Sequence, residues 1–227
     1  MRLHLRALQL VFLPIAAFAI ATAARADVTL YSDGAPNGTY DAWTINFGYQ
    51  VQDSFNLSSA STLTGVTFGN WLIGSDTASA VDWAIVTTEG TQTLACGGCS
   101  GTAPLTPDGT FATLSGYHGV IQSFSLPNLS LSAGTYWLEL QNEVTNNGDP
   151  AYWDMNGGPS QIWDSLSGDQ SGANCGSGIG PGTCSDSFTI IGTNGVSSTP
   201  EPGSLALLGT GLTLVGTVIR RRARILR

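Results

Sequence analysis

Residues 134–141 read GTYWLELQ, and this stretch decides the fold class. Tyr136, Leu138 and Leu140 alternate with polar positions and with Trp137, which is the period that places successive side chains on opposite faces of a β-strand. The apolar set predicts a face that packs into a core. The other set predicts a second face, on which Trp137 is the exposed aromatic residue.

Similar patterns extend outward from this stretch in both directions. Short β-branched and aromatic runs recur, and turn-forming pairs separate them, among them Asn37-Gly38, Asp108-Gly109 and Asn147-Gly148. No long apolar pattern with a helical period is present. Residues 27–197 are therefore predicted to form one all-β domain, a single jelly-roll-like β-sandwich. The same alternation predicts two core sets, Trp43 with Ile45 and Phe47, and Val81 with Trp83 and Ile85.

The first 26 residues have the features of a secretory signal peptide. Two arginines precede a short apolar run, and Ala24 and Ala26 form the small-x-small pattern that signal peptidase recognises. Cleavage after Ala26 is predicted. A first transmembrane helix is the alternative, but the apolar run is short and Pro14 interrupts it.

The C-terminal end has a second apolar segment. Residues 203–219 carry no charge, and at about 1.5 Å per residue they reach about 25 Å, which is marginal for a bilayer core of about 30 Å. Arg220, Arg221 and Arg222 begin an arginine-rich tail over residues 220–227, so the positive-inside rule keeps this end in the cytoplasm. A single transmembrane helix is predicted, with the preceding domain outside the membrane.

Charge is divided sharply along the chain. All eight Lys and Arg residues lie in the two terminal segments, whereas of the sixteen Asp and Glu residues only Glu201 lies outside the domain. Such a domain cannot neutralise phosphates, which excludes nucleic acid as a partner. Its stability depends on apolar burial, backbone hydrogen bonds and disulfides, with bound cations as a further candidate.

Pro200, Glu201 and Pro202, the apolar segment and the arginine tail together resemble the PEP-CTERM sorting signal, over residues 198–227. This resemblance implies a bacterial protein that is exported, held transiently in the inner membrane, cut by the protease exosortase, and then placed at the cell surface or in an extracellular matrix. An uncut tail anchor is the alternative. Residues 120–160, with GTYWL followed by YWD, also resemble an ectodomain found among PEP-CTERM proteins, which implies fold and location but no chemistry.

The domain contains few residues that could support histidine-based catalysis. His118 is its only histidine, in a sequence typical of a turn, and no GxSxG, HExxH or P-loop pattern is present. No catalytic residue is identified, and the chain is predicted not to be an enzyme. A hydrolase that uses two carboxylates stays open, although no pair stands out.

The four cysteines predict disulfides, because an exported protein matures in an oxidising compartment. Cys96 and Cys99 form CGGC, and Cys175 and Cys184 flank a glycine-rich loop. Local pairing, Cys96 with Cys99 and Cys175 with Cys184, is preferred among three connectivities. The spacing of the second pair argues against a zinc finger, and no metal site is assigned.

Two binding functions remain as hypotheses beside a structural role in the cell surface or exopolysaccharide matrix. Trp137, Tyr152, Asp154 and Asn156 combine aromatic rings with polar groups, as a lectin-like carbohydrate site requires, although this face could also pack against protein. No cofactor is predicted. Calcium is left open by the oxygen-rich loops at residues 31–41 and 142–150, which also fit ordinary turns.

Overall fold

The computed structural model describes residues 26–114, 116–165, 168–170 and 184–195. All the regular elements in these residues are β-strands. The predicted signal peptide, the predicted transmembrane helix and the sorting signal lie outside the described residues. The all-β prediction is confirmed for the described part of the chain.

Fourteen strands follow one another in the described part of the chain. They are β1 (Val28–Ser32), β2 (Ala42–Thr44), β3 (Gln50–Leu57), β4 (Ser61–Ile73), β5 (Ala78–Val86), β6 (Ser100–Pro104), β7 (Thr106–Phe111), β8 (Tyr117–Leu131), β9 (Gly134–Thr145), β10 (Tyr152–Asn156), β11 (Ile162–Asp164), β12 (Gly168–Gln170), β13 (Ser185–Asp186) and β14 (Phe188–Asn194).

The first sheet, sheet I, is built around β4. One edge of β4 pairs with β8, and its other edge pairs with β14 and, further along, with β10 at Asn70 and Trp71. Strand β7 extends the sheet beyond β8, β1 extends it beyond β14, and β10 also pairs with β2 and β13. All these pairs are antiparallel.

The second sheet, sheet II, has the strand order β12-β11-β3-β9-β5-β6, and its pairs are also antiparallel. The GTYWLELQ stretch lies in β9, at the centre of this sheet. Leu138 pairs with Asp53 of β3 on one side and with Ile85 of β5 on the other. Leu138 and Leu140 are fully buried, so the predicted core face of this strand is confirmed.

The two sheets share one hydrophobic core, to which both contribute large side chains. The ring centroids of Phe55 in sheet II and Phe188 in sheet I lie 6.3 Å apart. Those of Trp83 in sheet II and Phe124 in sheet I lie 6.4 Å apart. The inner faces of the two sheets are therefore in contact, which is the packing that a β-sandwich requires. The jelly-roll-like topology stays a prediction.

The two predicted core sets have different outcomes. Val81, Trp83 and Ile85 are all buried, as alternation along β5 predicts. In the other set Ile45 is buried and Trp43 is half-buried against the core, whereas Phe47 is 63% exposed, so the assignment of Phe47 to the core is wrong. Strand β2 ends at Thr44, and Phe47 lies in a turn with a φ of 56°, so the period of a strand no longer governs its direction.

Candidate functional site

Four carboxylates are buried between the sheets at one end of the core, and we call them the interior carboxylate cluster. Asp53 points inward from β3, on the same side as Val51 and Phe55. The other members are Asp33, which follows β1, Asp164 at the end of β11, and Asp186 in β13. Each of the four side chains is at most 4% exposed.

Neutral groups surround this cluster. Tyr31 Oη donates a hydrogen bond to Asp33 Oδ1 at 2.5 Å, and the backbone N–H of Asp186 donates to Asp53 Oδ2. The Ser160 hydroxyl lies beside both Asp33 and Asp53, and its oxygen is 2.6 Å from Ser185 Oγ. Several carboxylate oxygens have no hydrogen-bond partner, namely Asp33 Oδ2, Asp53 Oδ1 and both of Asp186.

Burial dominates the electrostatics of the cluster, because no lysine or arginine lies anywhere between residues 26 and 219. Burial raises the pKa of Asp33 from 3.8 to about 6. Burial and the neighbouring Asp33 carboxylate raise the pKa of Asp53 well above its usual value. The pKa of Asp186 rises well above its usual value from burial and the nearby Asp53. An interior of this kind favours either bound protons or a bound cation.

The two oxygen-rich loops differ in how their side chains are used. Residues 142–145 of the second predicted loop belong to β9. After the strand the polar groups hold backbone, since Asn146 Oδ1 accepts from Thr77 N and Asp76 Oδ1 accepts from Asn147 N. In the loop at residues 31–41, Asp33 belongs to the interior carboxylate cluster. Among the described residues, no three His, Cys, Asp or Glu side chains already converge to hold a metal ion.

The predicted sugar-binding residues of β10 are not arranged as an open platform. Asp154 is fully buried. Its carboxylate accepts hydrogen bonds from Trp71 Nε1 at 2.6 Å and from the backbone N–H groups of Asn37 and Gly38 at 3.0 and 2.9 Å. Gly38 has a φ of 67°, and a Cβ there would lie 1.8 Å from Ala112 O, so only glycine allows this loop to approach.

Tyr152 and Asn156 of β10 also do not form an exposed sugar-binding surface. Asn156 is buried, and its side chain donates to Asp33 O and accepts from Gly158 N, both at 2.9 Å. Tyr152 is half-buried, with its ring centroid 5.6 Å from that of Tyr117. The side chains of Asp154 and Asn156 therefore bond to protein and do not face an open surface.

The prediction that Trp137 is exposed is wrong. Trp137 does point away from the core, but it is only 9% exposed and packs with Ala84, Val86 and Trp163 on the outer face of sheet II. Trp163 comes from β11, which pairs with β3 at the edge of the sheet. Trp137 and Tyr152 lie in different sheets, so the four predicted residues do not form one surface.

An open groove lies elsewhere on the outer face of sheet II, and we call it the sheet II groove. It has a volume of about 350 Å³. Leu94, which is 41% exposed, and Gln92 line it together with Gln141 and Asp82. Glu139 lies at its floor, fully buried, where it accepts hydrogen bonds from Gln52, Gln92 and Gln141. Amides, hydroxyls and a carboxylate on an open face can hydrogen-bond sugar hydroxyls.

A separate polar pair lies inside the sandwich. Glu143 of β9 is 4% exposed, and Asn70 Nδ2 of β4 donates to Glu143 Oε1 at 2.5 Å. Burial raises the pKa of Glu143 from 4.5 to about 8. Glu143 Oε2 and Asn70 Oδ1 are both buried without partners. A proton on Oε2 gives Asn70 Oδ1 a donor, so the protonated acid is the form that suits this pair.

Glu143→Gln is expected to stabilise the protein by an amount that grows with pH. The unfolded acid ionises as the pH rises past 4.5, whereas the folded acid keeps its proton until about pH 8, so the Glu143 contribution to stability is lost across this window. The difference between variant and wild type is expected to be small at pH 5 and on the order of 3 kcal/mol at pH 8. Urea unfolding in chelated buffer measures it, with the exposed Asp108→Asn as control. A difference that does not change with pH would show that Glu143 is ionised throughout.

The cysteine and histidine predictions are settled in part. Cys96 and Cys99 form a disulfide, as predicted. Cys184 is also disulfide-bonded, but its predicted partner Cys175 lies outside the described residues. His118 lies in β8, so its assignment to a turn is wrong.

Sequence could have revealed only part of the interior carboxylate cluster. Asp53 lies between Val51 and Phe55 on one face of a predicted strand, and an acidic residue at a core position signals a functional or strained site. No local pattern marks Asp186 or Ser160, which meet Asp53 only because β13 and the segment before β11 reach the same end of the core.

Comparison with known protein families matches residues 198–222 to the PEP-CTERM protein-sorting motif. No curated protein matches the chain. The described part of the chain contains no helix with the length and hydrophobicity that a membrane crossing requires. The matched residues contain Pro200-Glu201-Pro202, the whole apolar segment and the first three arginines of the tail. The chain therefore carries a PEP-CTERM protein-sorting motif, which supports its assignment as an exported protein sorted by exosortase.

Proposed function

We propose that the chain is a non-enzymatic component of the cell surface or exopolysaccharide matrix. The observation that carries the proposal is the sorting motif at residues 198–222, since the motif directs an exported domain to a membrane protease. The separation of charges supports it as well. Cleavage near residues 200–202, together with removal of the signal peptide, takes away all eight basic residues and leaves a domain without lysine or arginine.

The proposed export route follows from the N-terminal and C-terminal segments. Signal peptidase removes residues 1–26, the apolar segment at residues 203–219 holds the chain in the inner membrane, and exosortase then cuts near Pro200-Glu201-Pro202. The released domain is acidic, and its self-repulsion favours solubility during transit to the matrix. The proposed role is structural, because the conspicuous carboxylates of the described residues are buried in the interior or bound by protein donors.

A lectin-like role is the second candidate, and the sheet II groove is the observation that favours it. The groove is open and lined by amides and hydroxyls, with Leu94 as an exposed apolar contact. A polysaccharide hydrolase gains no comparable support. Glu139 is the deepest carboxylate of the groove, and three glutamine side chains donate to it, which leaves it poorly placed to act as an acid or nucleophile.

The exported protein is expected to fractionate with the exopolysaccharide and to be depleted from the washed cell membrane. A double variant, Gln92→Ala with Gln141→Ala, separates the two roles, because a lectin depends on the sheet II groove and a structural component does not. Ser123→Ala, in the groove on sheet I, is the matched control. Quantitative immunoblotting of matrix, membrane and medium gives the result.

Retention of both variants in the matrix supports the structural role. Loss of the double variant to the medium, with Ser123→Ala retained, favours the lectin. Wild-type protein that remains entirely in the membrane fraction contradicts both.

A further inference from the structure

We propose that the interior carboxylate cluster binds a calcium ion between Asp33 and Asp53, with Asp186 as a third carboxylate. The ion joins the two sheets at this end of the core, since Asp53 belongs to sheet II and Asp186 to sheet I. This site goes beyond the proposed matrix role and does not depend on it.

Charge balance is the first argument for a cation. Four carboxylates lie within one buried region, and residues 26 to 219 provide no lysine or arginine to neutralise them. A buried carboxylate is costly unless it is paired, protonated or bound to a metal. A divalent ion neutralises two of them at once.

Unused oxygens are the second and independent argument. Asp186 is fully buried, and neither of its carboxylate oxygens has a hydrogen-bond partner. Asp53 Oδ1 and Asp33 Oδ2 are likewise buried without partners. Buried acceptors normally find a donor, so oxygens left over at one place indicate a ligand that accepts lone pairs.

The available ligands fit calcium better than zinc or magnesium. All are oxygens, from carboxylates and from the hydroxyls of Ser160 and Ser185, and they come from separate segments of the chain. Calcium takes six to eight oxygens in flexible geometry. No three carboxylates converge in the described residues as they stand, so binding requires a side-chain rotation of Asp186 or Asp33 toward Asp53.

The test uses the exported protein, stripped with a chelator and titrated with CaCl₂ at neutral pH. Calcium at about 100 times its dissociation constant is expected to raise the unfolding temperature by about 5 to 10 °C. Asp53→Asn is expected to abolish this shift, because one ligand and one charge are lost while size is kept. Asp76→Asn is the matched control. Asp76 is also buried and has an unpartnered oxygen, but it lies by the loop at residues 142–150.

A wild-type protein that shows no shift with CaCl₂ overturns the proposal, as does a full shift in Asp53→Asn or a loss of the shift in Asp76→Asn alone. Hydrogen exchange of the wild type locates the site without any variant, in case Asp53→Asn does not fold. Calcium is expected to slow exchange in peptides that cover Asp33, Ser160 and Asp186. Protection confined to residues 142–150 would contradict the site.

Discussion

Trp153→Ala is expected to destabilise the protein by about 3 to 5 kcal/mol, as other truncations of large buried aromatics do. Trp153 is fully buried in the hydrophobic core. Its ring lies 6.3 Å from that of Phe68 and 5.6 Å from that of Phe188, and its Nε1 donates to Ser187 O at 3.0 Å. The substitution leaves a cavity between these groups and removes the hydrogen bond.

Urea unfolding monitored by circular dichroism measures this loss, and a lower midpoint with an unchanged slope identifies it as a loss of native stability. Trp163→Ala is the control, because Trp163 is half-buried on the outer face of sheet II and lies outside the core. Less than half the loss is expected there. A loss for Trp153→Ala of about 0.5 kcal/mol, typical of surface sites, would contradict the shared core of the two sheets.

Local sequence predicts the strands of this fold well, because the alternation of apolar and polar side chains is visible within a few neighbouring residues. The pattern around Leu138 and Leu140 identifies the central strand of sheet II, and that around Trp83 identifies its neighbour β5. The prediction fails at Phe47, where the strand has already ended. Alternation describes a residue only while the backbone remains extended.

What covers the outer faces of the sheets could not be predicted from alternation. Trp137 points outward as predicted, yet Trp163 from a distant part of the chain packs against it. Asp154 also points away from the core, yet Trp71 and the loop at Asn37 and Gly38 bury it. Both coverings are tertiary contacts between segments far apart in sequence, so no local period contains them.

The sorting motif differs from the rest of the chain, because it is recognised from the order of a few neighbouring residues and needs no tertiary contacts. Replacing Pro200, Glu201 and Pro202 together with alanines is expected to block maturation almost completely. Proline cannot continue a helix and favours an extended backbone, which is the form that we expect a protease to require. Alanines remove this restraint and the only carboxylate beside the apolar segment.

The arginine tail determines where the uncut variant is expected to accumulate. The predicted signal peptide is untouched in the variant, so export is expected to continue. Residues 203–219 then remain attached, and Arg220, Arg221 and Arg222 are expected to hold them in the membrane with the domain outside. The uncut protein is therefore expected to accumulate as a longer, membrane-bound species. Val196→Ala with Ser197→Ala, just before the matched residues, is the control and is expected to mature normally.

Intact-mass analysis of the exported protein, compared between wild type and the Pro200-Glu201-Pro202 variant, shows whether the C-terminal segment is cut off as a sorting signal. The wild type is predicted to begin at Asp27 and to end near residues 200–202, without any arginine of the tail. The variant is predicted to begin at the same residue and to keep the chain through Arg227. If both proteins have the same mass and reach the same compartment, the C-terminal segment is not processed as a sorting signal, and the account is contradicted.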